Sequence, residues 1–442
     1  MQDQAFEIRK LMKQHHEMFD DGIPLIASEN VTSPLCREAM ISDLNHRYAE
    51  GWVGQRVYAG CEYLDKIEQI CMDLAKKYFR ADFADVRPIS GVMANLAMYV
   101  ACTTPKGKMC AMPIPKGGHI SHAPLFAKSG NQINGTAGAV RGLTIEYLAF
   151  DEKEMNLDVD GSAKIIRDFK PELLLFGGSV FLFPHPVKEL SQVAKEVGSH
   201  VGYDGAHVAG LIGSGYFQDP LREGAEVMTA STHKTLPGPQ HGIVLANGDN
   251  ALIEKLKTAT FPSLHSNHHL HNVAGLAITL AEMLEFGKKY HDQVIKNAKA
   301  LGQALYERGF KVLMEHKGFT ESHQLLIDIT NFQNTIGLGG DIERLLEQAH
   351  IIINRNLLPW DIKEKRDYKN PGGLRLGTSE VTRLGMNESD MVQIAEFFKK
   401  LVIDQQNPEG IKAQVREFKK DFKQVKYCFP SKLKAYEYVQ FD

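Results

Sequence analysis

The sequence has few of the features that mark membrane, secreted or nucleic-acid-binding proteins. Only six cysteines occur, with no Cys-x-x-Cys pair and no zinc spacing, which favours reduced thiols in a cytoplasmic protein. The 51 basic and 54 acidic residues leave a net charge of −3, so neither nucleic acid nor an anionic membrane is expected as a partner. The longest apolar run, 173–183, is too short to span a membrane and contains two glycines. Residues 6–12 are typical of an amphipathic helix, not of a signal peptide.

The hydrophobic pattern predicts an α/β protein with more than one domain. Apolar strands alternate with helical stretches through the first two thirds of the 442 residues, which predicts a largely parallel sheet covered on both faces. After about residue 280 long helical stretches and two further strands indicate a second α+β domain that ends in a basic helix over 412–426. We therefore expect an N-terminal arm over 1–45, a large domain over 46–280 and a small C-terminal domain over 281–442.

One lysine, Lys234, lies between the end of an apolar run and a rigid turn. Hydroxyl residues precede it, and Pro237-Gly238-Pro239 follows before the next strand begins. An amine held by backbone geometry at a strand end suits a lysine that forms a Schiff base with a carbonyl cofactor. A solvated turn lysine is the alternative, and for an isolated lysine it would be favoured.

Asp204 favours the Schiff-base interpretation of Lys234, because it ends the apolar strand that precedes Lys234 in the chain. Pyridoxal phosphate requires a lysine for its aldehyde and a carboxylate that keeps its pyridine nitrogen protonated. Ligands of open α/β sheets bind at the carboxyl ends of the strands, where both residues are expected. On its own, Asp204 would more simply be interpreted as a helix cap.

Two further segments are weaker candidates. Ser90-Gly91 stands where a strand gives way to a helix, and helix N-termini bind phosphate, although serine is also a common cap. The segment 43–60 combines two phenols, a carboxylate and an arginine among glycines, so it is either a site loop or a solvated turn.

Taken together, the motifs resemble the serine hydroxymethyltransferases, most closely the archaeal branch. The resemblance runs almost end to end. Its matching motifs are Leu25–Asn30, Arg47–Gly51, Ser90-Gly91-x-x-Ala94-Asn95, Gly117-Gly118-His119, Tyr203-Asp204-x-Ala206-His207, Thr232–Thr235, Asn354–Pro359 and Gly373–Gly377. The resemblance implies a fold-type I pyridoxal-phosphate transferase with a mostly parallel seven-stranded sheet in its large domain.

The resemblance also implies a role for each matching residue. Lys234 carries the cofactor, with His233 beside it as a further catalytic residue, and Asp204 pairs with the pyridine nitrogen. The remaining cofactor contacts expected from the resemblance are Ser90, Gly91, Val92, His119, Ser179, His207, Ser231, Ser266 and Asn267. Many relatives carry a hydroxyl at the position of Val92, so one phosphate contact differs here.

Substrate residues follow from the same resemblance. Arg375 binds the substrate carboxylate with the help of Ser28, and a structural ion pair is the alternative for this arginine. Glu50 is the acid/base, Tyr48 and Tyr58 shape the site, and the family places these three across a dimer interface. The implied molecule is a cytoplasmic homodimer with shared active sites, acting on serine, glycine and a reduced pterin; dimer and tetramer stay open.

The sequence leaves alternatives open for both the pterin carrier and the reaction. Asn356 matches a pterin-contacting position. Gln240-His241 and Ser266-Asn267 replace residues that bacterial and eukaryotic members usually have, which favours a tetrahydromethanopterin-like carrier over tetrahydrofolate. The competing functions are a pyridoxal-phosphate-dependent threonine or β-hydroxy amino acid aldolase or transaldolase, and a non-catalytic binding protein on the same fold.

Overall fold

The computed structural model describes residues 2–126, 132–133 and 135–438 and divides the chain into two compact units. The larger unit is residues 35–291, and the smaller unit combines residues 1–34 with residues 292–442. The second division falls inside one long helix, Leu270–Glu307. The sequence placed the domain boundaries after residues 45 and 280, and that division stays a prediction.

The larger unit is built on a seven-stranded sheet. Its strands are β1 (Phe83–Asp85), β2 (Lys108–Ala111), β3 (Thr144–Tyr147), β4 (Leu173–Gly177), β5 (His200–Asp204), β6 (Val227–Ser231) and β7 (Gly242–Ala246). They lie in the order β1-β7-β6-β5-β4-β2-β3, and only β7 runs against the other six. Every residue of β4, β6 and β7 is buried, as expected for a sheet covered on both faces. The predicted α/β class and mostly parallel seven-stranded sheet are confirmed.

Helices and short strand pairs complete this unit. Its helices are Pro34–Met40, which begins at the division, Asp43–His46, Glu62–Phe79, Gly91–Cys102, Ile114–Lys116, Thr136–Arg141, Val159–Phe169, Val187–Glu196, Ala209–Gly213, Pro220–Glu223, Asn250–Thr258, Ala259–Leu264 and the first part of Leu270–Glu307. The paired short strands are Gly51–Trp52 with Gln55–Arg56, Leu125–Phe126 with Gln132–Ile133, and Phe150–Asp151 with Asn156–Leu157. A buried apolar cluster packs Ala94 and Met98 of the helix Gly91–Cys102 against Leu175 and Val244 of the sheet.

The smaller unit contains a four-stranded antiparallel sheet. Its strands are β8 (Lys311–Val312), β9 (Gln324–Asp328), β10 (Asn354–Asn356) and β11 (Gly373–Gly377), in the order β8-β9-β11-β10. The helices are Gln2–Asp21, Glu315–Lys317, Thr330–Phe332, Gly339–Gln348, Ser379–Arg383, Glu388–Phe398, Lys399–Ile403 and Pro408–Lys419. Ile23–Pro24 pairs in parallel with Ile351–Ile352, which joins the N-terminal arm to this unit.

The last helix differs from its predicted position at 412–426. It begins at Pro408, because Asn407 caps it by accepting the N–H of Glu409 and proline is favoured at the first helical position. It ends at Lys419. Within the described part of the chain, no helix is both long and apolar enough to cross a membrane.

Candidate active site

Three neighbouring strands of the large sheet end together at one edge. The register pairs Gly177 with Asp204, and Asp204 with Thr229, so β4, β5 and β6 present their carboxyl ends side by side. Lys234 follows the end of β6 by three residues. The topology therefore brings the predicted cofactor lysine and the predicted carboxylate to the same edge of the sheet.

Asp204 is buried and is held by three hydrogen-bond donors. Its Oδ2 lies 2.7 Å from Nε2 of His122 and accepts the side-chain amide of Asn95 at 2.8 Å. Its Oδ1 accepts the backbone N–H of Ala206 at 2.9 Å. Burial alone would raise the pKa of Asp204, but His122 and the Asn95 amide outweigh burial and lower the pKa below its usual range. The site thus contains an ionised carboxylate in a buried setting.

A second layer of hydrogen bonds fixes these donors. Thr229 donates to Oδ1 of Asn95, which orients the Asn95 amide nitrogen toward Asp204 and toward Ser121 at 3.0 Å. The backbone N–H of Ser121 donates to Nδ1 of His119 at 3.2 Å, so that nitrogen is an acceptor. The ring of His119 is thereby held in the tautomer that carries its proton on Nε2.

The turn that carries Lys234 is fixed on its C-terminal side. The hydroxyl of Thr235 donates to the carbonyl of His207 at 2.8 Å and accepts the N–H of Gly210 at 3.0 Å. Lys234 is only 9% exposed, so its amine is largely withdrawn from bulk water. Burial, together with the charge of Lys234, lowers the pKa of His233 to about 4, which leaves this imidazole neutral at physiological pH.

A helix N-terminus opens at the same side of the sheet. Ser90 caps the helix Gly91–Cys102 by accepting the N–H of Met93 at 3.2 Å, and its carbonyl accepts the N–H of Ala94 at 3.0 Å. The N–H groups of Gly91 and Val92 are therefore the ones at the open end. A Cβ at Gly91 would lie 2.3 Å from Oγ of Ser231, so a larger residue here would displace the Ser231 hydroxyl at the end of β6.

Two glycine-rich loops meet beside this edge. The N–H groups of Ser179 and Val180 donate to the carbonyl of Gly117 at 2.6 and 3.2 Å. A Cβ at Gly178 would lie 2.1 Å from the same carbonyl, so the contact requires glycine there. Ser179 and His119 are therefore on loops that are bonded to each other.

Comparison with known proteins agrees with this geometry. A family model described as serine hydroxymethyltransferase matches residues 1–398. The chain belongs to the serine hydroxymethyltransferase family. Relatives named serine hydroxymethyltransferase include those of Korarchaeum cryptofilum, 57% identical over 431 residues, and Nitrosopumilus maritimus, 54% identical over 434 residues. The alignments cover 98% of both chains in the first case, and 97% of this chain and 96% of its relative in the second. The resemblance inferred from the motifs is confirmed.

Serine hydroxymethyltransferases depend on pyridoxal phosphate, and the residues at this edge fit that group. Asp204 supplies the buried negative charge that a protonated pyridine nitrogen requires. The open N-terminus of the helix Gly91–Cys102, with the N–H groups of Gly91 and Val92 at its end, suits a phosphate. Lys234 supplies the only type of side chain that forms a Schiff base with an aldehyde.

The predicted acid/base segment lies in an exposed loop of the larger unit. Tyr48 and Tyr58 are 50% and 45% exposed, and their ring centroids are 5.2 Å apart. Glu50 lies between the buried residues Ala49 and Gly51 and is itself partly exposed. Two half-exposed aromatic rings and a partly exposed glutamate thus lie in the same loop of this unit.

The smaller unit contains the predicted substrate residues. Arg375, on β11, is buried, and its Nε donates to Oδ1 of Asn354 at 3.2 Å. Burial lowers the pKa of Arg375 to about 10, so it keeps its positive charge at neutral pH. Ser28 follows a segment that is hydrogen-bonded to β11, since the N–H of Gly377 donates to the carbonyl of Leu25 at 2.8 Å. Asn356 lies on the neighbouring strand β10, and its amide donates to the carbonyl of Leu357.

The sequence did not predict several residues that surround Asp204. Asn95, Ser121, His122 and Thr229 form the hydrogen-bonded shell of this carboxylate. Asn95 stood in the matched Ser-Gly-x-x-Ala-Asn motif, four residues after Gly91 and so on the same helix face. His122 carried a weaker signal, as a second histidine just after Gly-Gly-His.

Proposed function

We propose that this chain interconverts serine and glycine by transferring a hydroxymethyl group between serine and a reduced pterin. The observation that carries the proposal is the convergence of Asp204, Lys234 and the open helix end at Gly91 on one edge of the sheet. Bound pyridoxal phosphate supplies an electron sink for the bond broken at the substrate Cα. The proposal concerns how the residues of this chain hold and use that group.

The residues of the larger unit would hold the cofactor. Lys234 would bind its aldehyde carbon, and Asp204 would accept a hydrogen bond from its protonated ring nitrogen. Because Asp204 is already ionised and held by three donors, it needs no reorganisation when the reaction draws electrons toward the ring. The other proposed contacts are Ser90, Gly91, Val92 and Ser231 at the phosphate, with His119, Ser179 and His207 around the ring.

Arg375 of the smaller unit would bind the substrate carboxylate. Its guanidinium is charged and planar, and two parallel N–H groups match a carboxylate in geometry. A fixed carboxylate fixes the rotation about the amino acid Cα, and this selects which bond is broken. Ser28 adds a hydroxyl donor.

Glu50 would exchange the proton of the serine hydroxyl or of the pterin, with Tyr48 and Tyr58 beside it. Their exposure in the isolated chain supports a homodimer in which these residues serve the partner's cofactor. Ser266, also exposed, and Asn267 would reach the partner's phosphate. The cytoplasmic location expected from the sequence stays a prediction.

The proposed carrier is a modified archaeal pterin such as tetrahydromethanopterin, with Asn356 as a contact. Glycines let a backbone approach a ligand closely, and Ser266 and Asn267 replace glycines found in other members. His241, also a departure from those members, is fully buried and donates through Nε2 to the carbonyl of Val86 at 2.7 Å. The proposal is that these substitutions alter the surroundings of the bound pterin.

The test is serine cleavage by the purified holoenzyme with tetrahydromethanopterin, with tetrahydrofolate and without a pterin. We expect pterin-dependent glycine formation, higher catalytic efficiency with tetrahydromethanopterin, and a borohydride-stable pyridoxyl adduct on Lys234. Higher efficiency with tetrahydrofolate would overturn the choice of carrier alone. Cleavage of threonine at full rate with no pterin effect on serine would instead identify an aldolase.

A further inference from the structure

The segment that carries Glu50 has little packing of its own. Tyr48 on one side is half exposed, and Ala49 is the residue of this segment that packs into a hydrophobic cluster, a small one with Cys61, Leu64 and Leu270. A general acid or base must lie within hydrogen-bond reach of its proton to act. Polar contacts must therefore fix the backbone on both sides of Glu50.

Asn267 makes two of these contacts with one side chain. Its Oδ1 accepts the N–H of Ala49 at 2.9 Å, and its Nδ2 donates to the carbonyl of Arg47 at 3.0 Å. The two bonds bracket Tyr48. A carboxamide has an acceptor and a donor on one planar group, so it can satisfy both backbone partners at once.

His268, the next residue, acts on this backbone indirectly, through the buried side chains of Glu68 and Arg56. Its Nε2 lies 2.8 Å from Oε2 of Glu68, and the same oxygen lies 2.9 Å from Nη2 of Arg56. All three side chains are almost completely buried. A buried carboxylate between a cation and an imidazole has little freedom to move, so Glu68 holds Arg56 in place.

Arg56 in turn donates hydrogen bonds to the backbone carbonyls on both sides of Glu50. Its Nη1 donates to the carbonyl of Ala49 at 2.8 Å and to that of Gly51 at 3.0 Å, and its Nε donates to Asp65 at 2.6 Å. Glu50 itself is tied through its own carbonyl, which accepts the N–H of Val57 at 3.1 Å.

We propose that Asn267 and His268 are positioning residues that fix the Tyr48–Gly51 backbone and thereby aim the Glu50 carboxylate. This role rests on the proposed function of Glu50 and is additional to the predicted phosphate contact of Asn267, because the Asn267 amide has a second N–H. Asn267 acts directly on the backbone that precedes Glu50. His268 acts through Glu68 and Arg56, and Arg56 binds the carbonyls on both sides of Glu50.

The main experiment is a double-mutant cycle between Asn267→Ala and Glu50→Gln in the holoenzyme. Asn267→Ala should lower kcat about 10- to 100-fold, as expected for a catalytic group displaced by about 1 Å, with little change in KM for serine. In the Glu50→Gln background the same substitution should cost much less than in the wild type, because the group being aimed is already inactive and only the predicted phosphate contact remains to be lost. Equal losses in both backgrounds, or full activity of Asn267→Ala, would overturn the proposal.

A second readout does not depend on activity. Hydrogen exchange of the peptide spanning 48–51 should become at least tenfold faster in Asn267→Ala, while peptides of β5 and β6 stay unchanged. Unchanged protection of 48–51 would overturn the proposal even if serine cleavage were never observed, which separates its failure from that of the proposed function.

Three further variants complete the design. His268→Leu should show a smaller loss of kcat in the same direction, since it acts through two other side chains. Asn267→Asp keeps the acceptor for Ala49 and replaces Asn267→Ala if the latter does not fold; it should retain part of the protection. Ser263→Ala, an exposed position in the preceding helix, is the matched control and should behave as the wild type.

Discussion

Asp204 and Glu380 are buried carboxyl groups, one in each compact unit, yet their pKa values are shifted in opposite directions. Asp204 has three donors, and its pKa is lowered although burial opposes this. Glu380 is also buried, and burial raises its pKa to about 7, although the hydroxyl of Tyr436 donates to it at 2.6 Å. The nearby carboxylate of Glu29 adds to the increase.

The difference shows that the number and charge of the donors decide whether a buried carboxyl group stays ionised. Loss of hydration penalises the charged form at both positions. At Asp204 an imidazole, an amide and a backbone N–H replace the water, whereas among the described residues the phenol of Tyr436 does so at Glu380. The larger unit therefore maintains a negative charge at Asp204, the residue proposed to pair with the protonated cofactor nitrogen.

The largest effect is expected from Asp204→Asn, which removes this charge and keeps the shape. Bond cleavage should fall by at least about 100-fold, because a charge-assisted hydrogen bond contributes about 1.5–3 kcal/mol and more where charge develops in the transition state. The measurements are kcat for serine cleavage and the absorption spectrum of the bound cofactor. Near-normal turnover would show that Asp204 is not the partner of the ring nitrogen; wild-type circular dichroism of the variant is the control for folding.

The same comparison shows which features of the site can be predicted from the sequence. The strand ends at Asp204 and Lys234 were predictable, because apolar runs that stop at polar residues mark the carboxyl edge of a parallel sheet. The donors of Asp204 were not, since Asn95 and His122 are 109 and 82 residues away in sequence and only tertiary packing brings them together. The division inside Leu270–Glu307 was hidden for a similar reason, because helical periodicity continues across it.

His122→Leu sharpens the comparison by reducing the donors of Asp204 while leaving the carboxylate in place. Removing the imidazole takes away one of the three donors of a buried carboxylate, and loss of a hydrogen bond to a charged group costs about 1.5–3 kcal/mol. The pKa of Asp204 is lowered in the folded state, so its contribution is present above the unfolded-state value of about 3.9 and is lost as the pH falls below it.

The measurement is the free energy of unfolding of wild type and His122→Leu between pH 7 and pH 3. The difference between the two proteins should be largest at pH 7 and should shrink toward pH 3. A difference that is constant with pH would mean that His122 acts through packing alone and not through the charge of Asp204.

Glu380→Gln tests the other member of the comparison and should increase stability at neutral pH. Unfolded, Glu380 ionises near its ordinary pKa, whereas in the folded protein it keeps its proton up to about pH 7. Between these values the folded state binds the extra proton, so wild-type stability falls as the pH rises. Glutamine mimics the protonated acid, and the variant should be about 1–3 kcal/mol more stable than wild type at pH 7.5. Urea unfolding should show equal stabilities near pH 4; a gain of the same size at pH 4 would contradict the assignment.

Tyr436→Phe is expected to have the smallest effect. It tests whether the hydrogen bond from Tyr436 stabilises the ionised form of Glu380. The phenol favours the ionised carboxylate, so its removal should raise the pKa of Glu380 further and cost about 0.5–1.5 kcal/mol at pH 7.5. The cost should be smaller at pH 5, where Glu380 is protonated in the folded protein and the bond is between neutral groups. Phenylalanine keeps the ring that lies 5.0 Å from the ammonium of Lys419, so that contact is unchanged. In the Glu380→Gln background the pH dependence of the Tyr436→Phe cost should vanish, and a pH dependence that persists there would place the titrating group elsewhere.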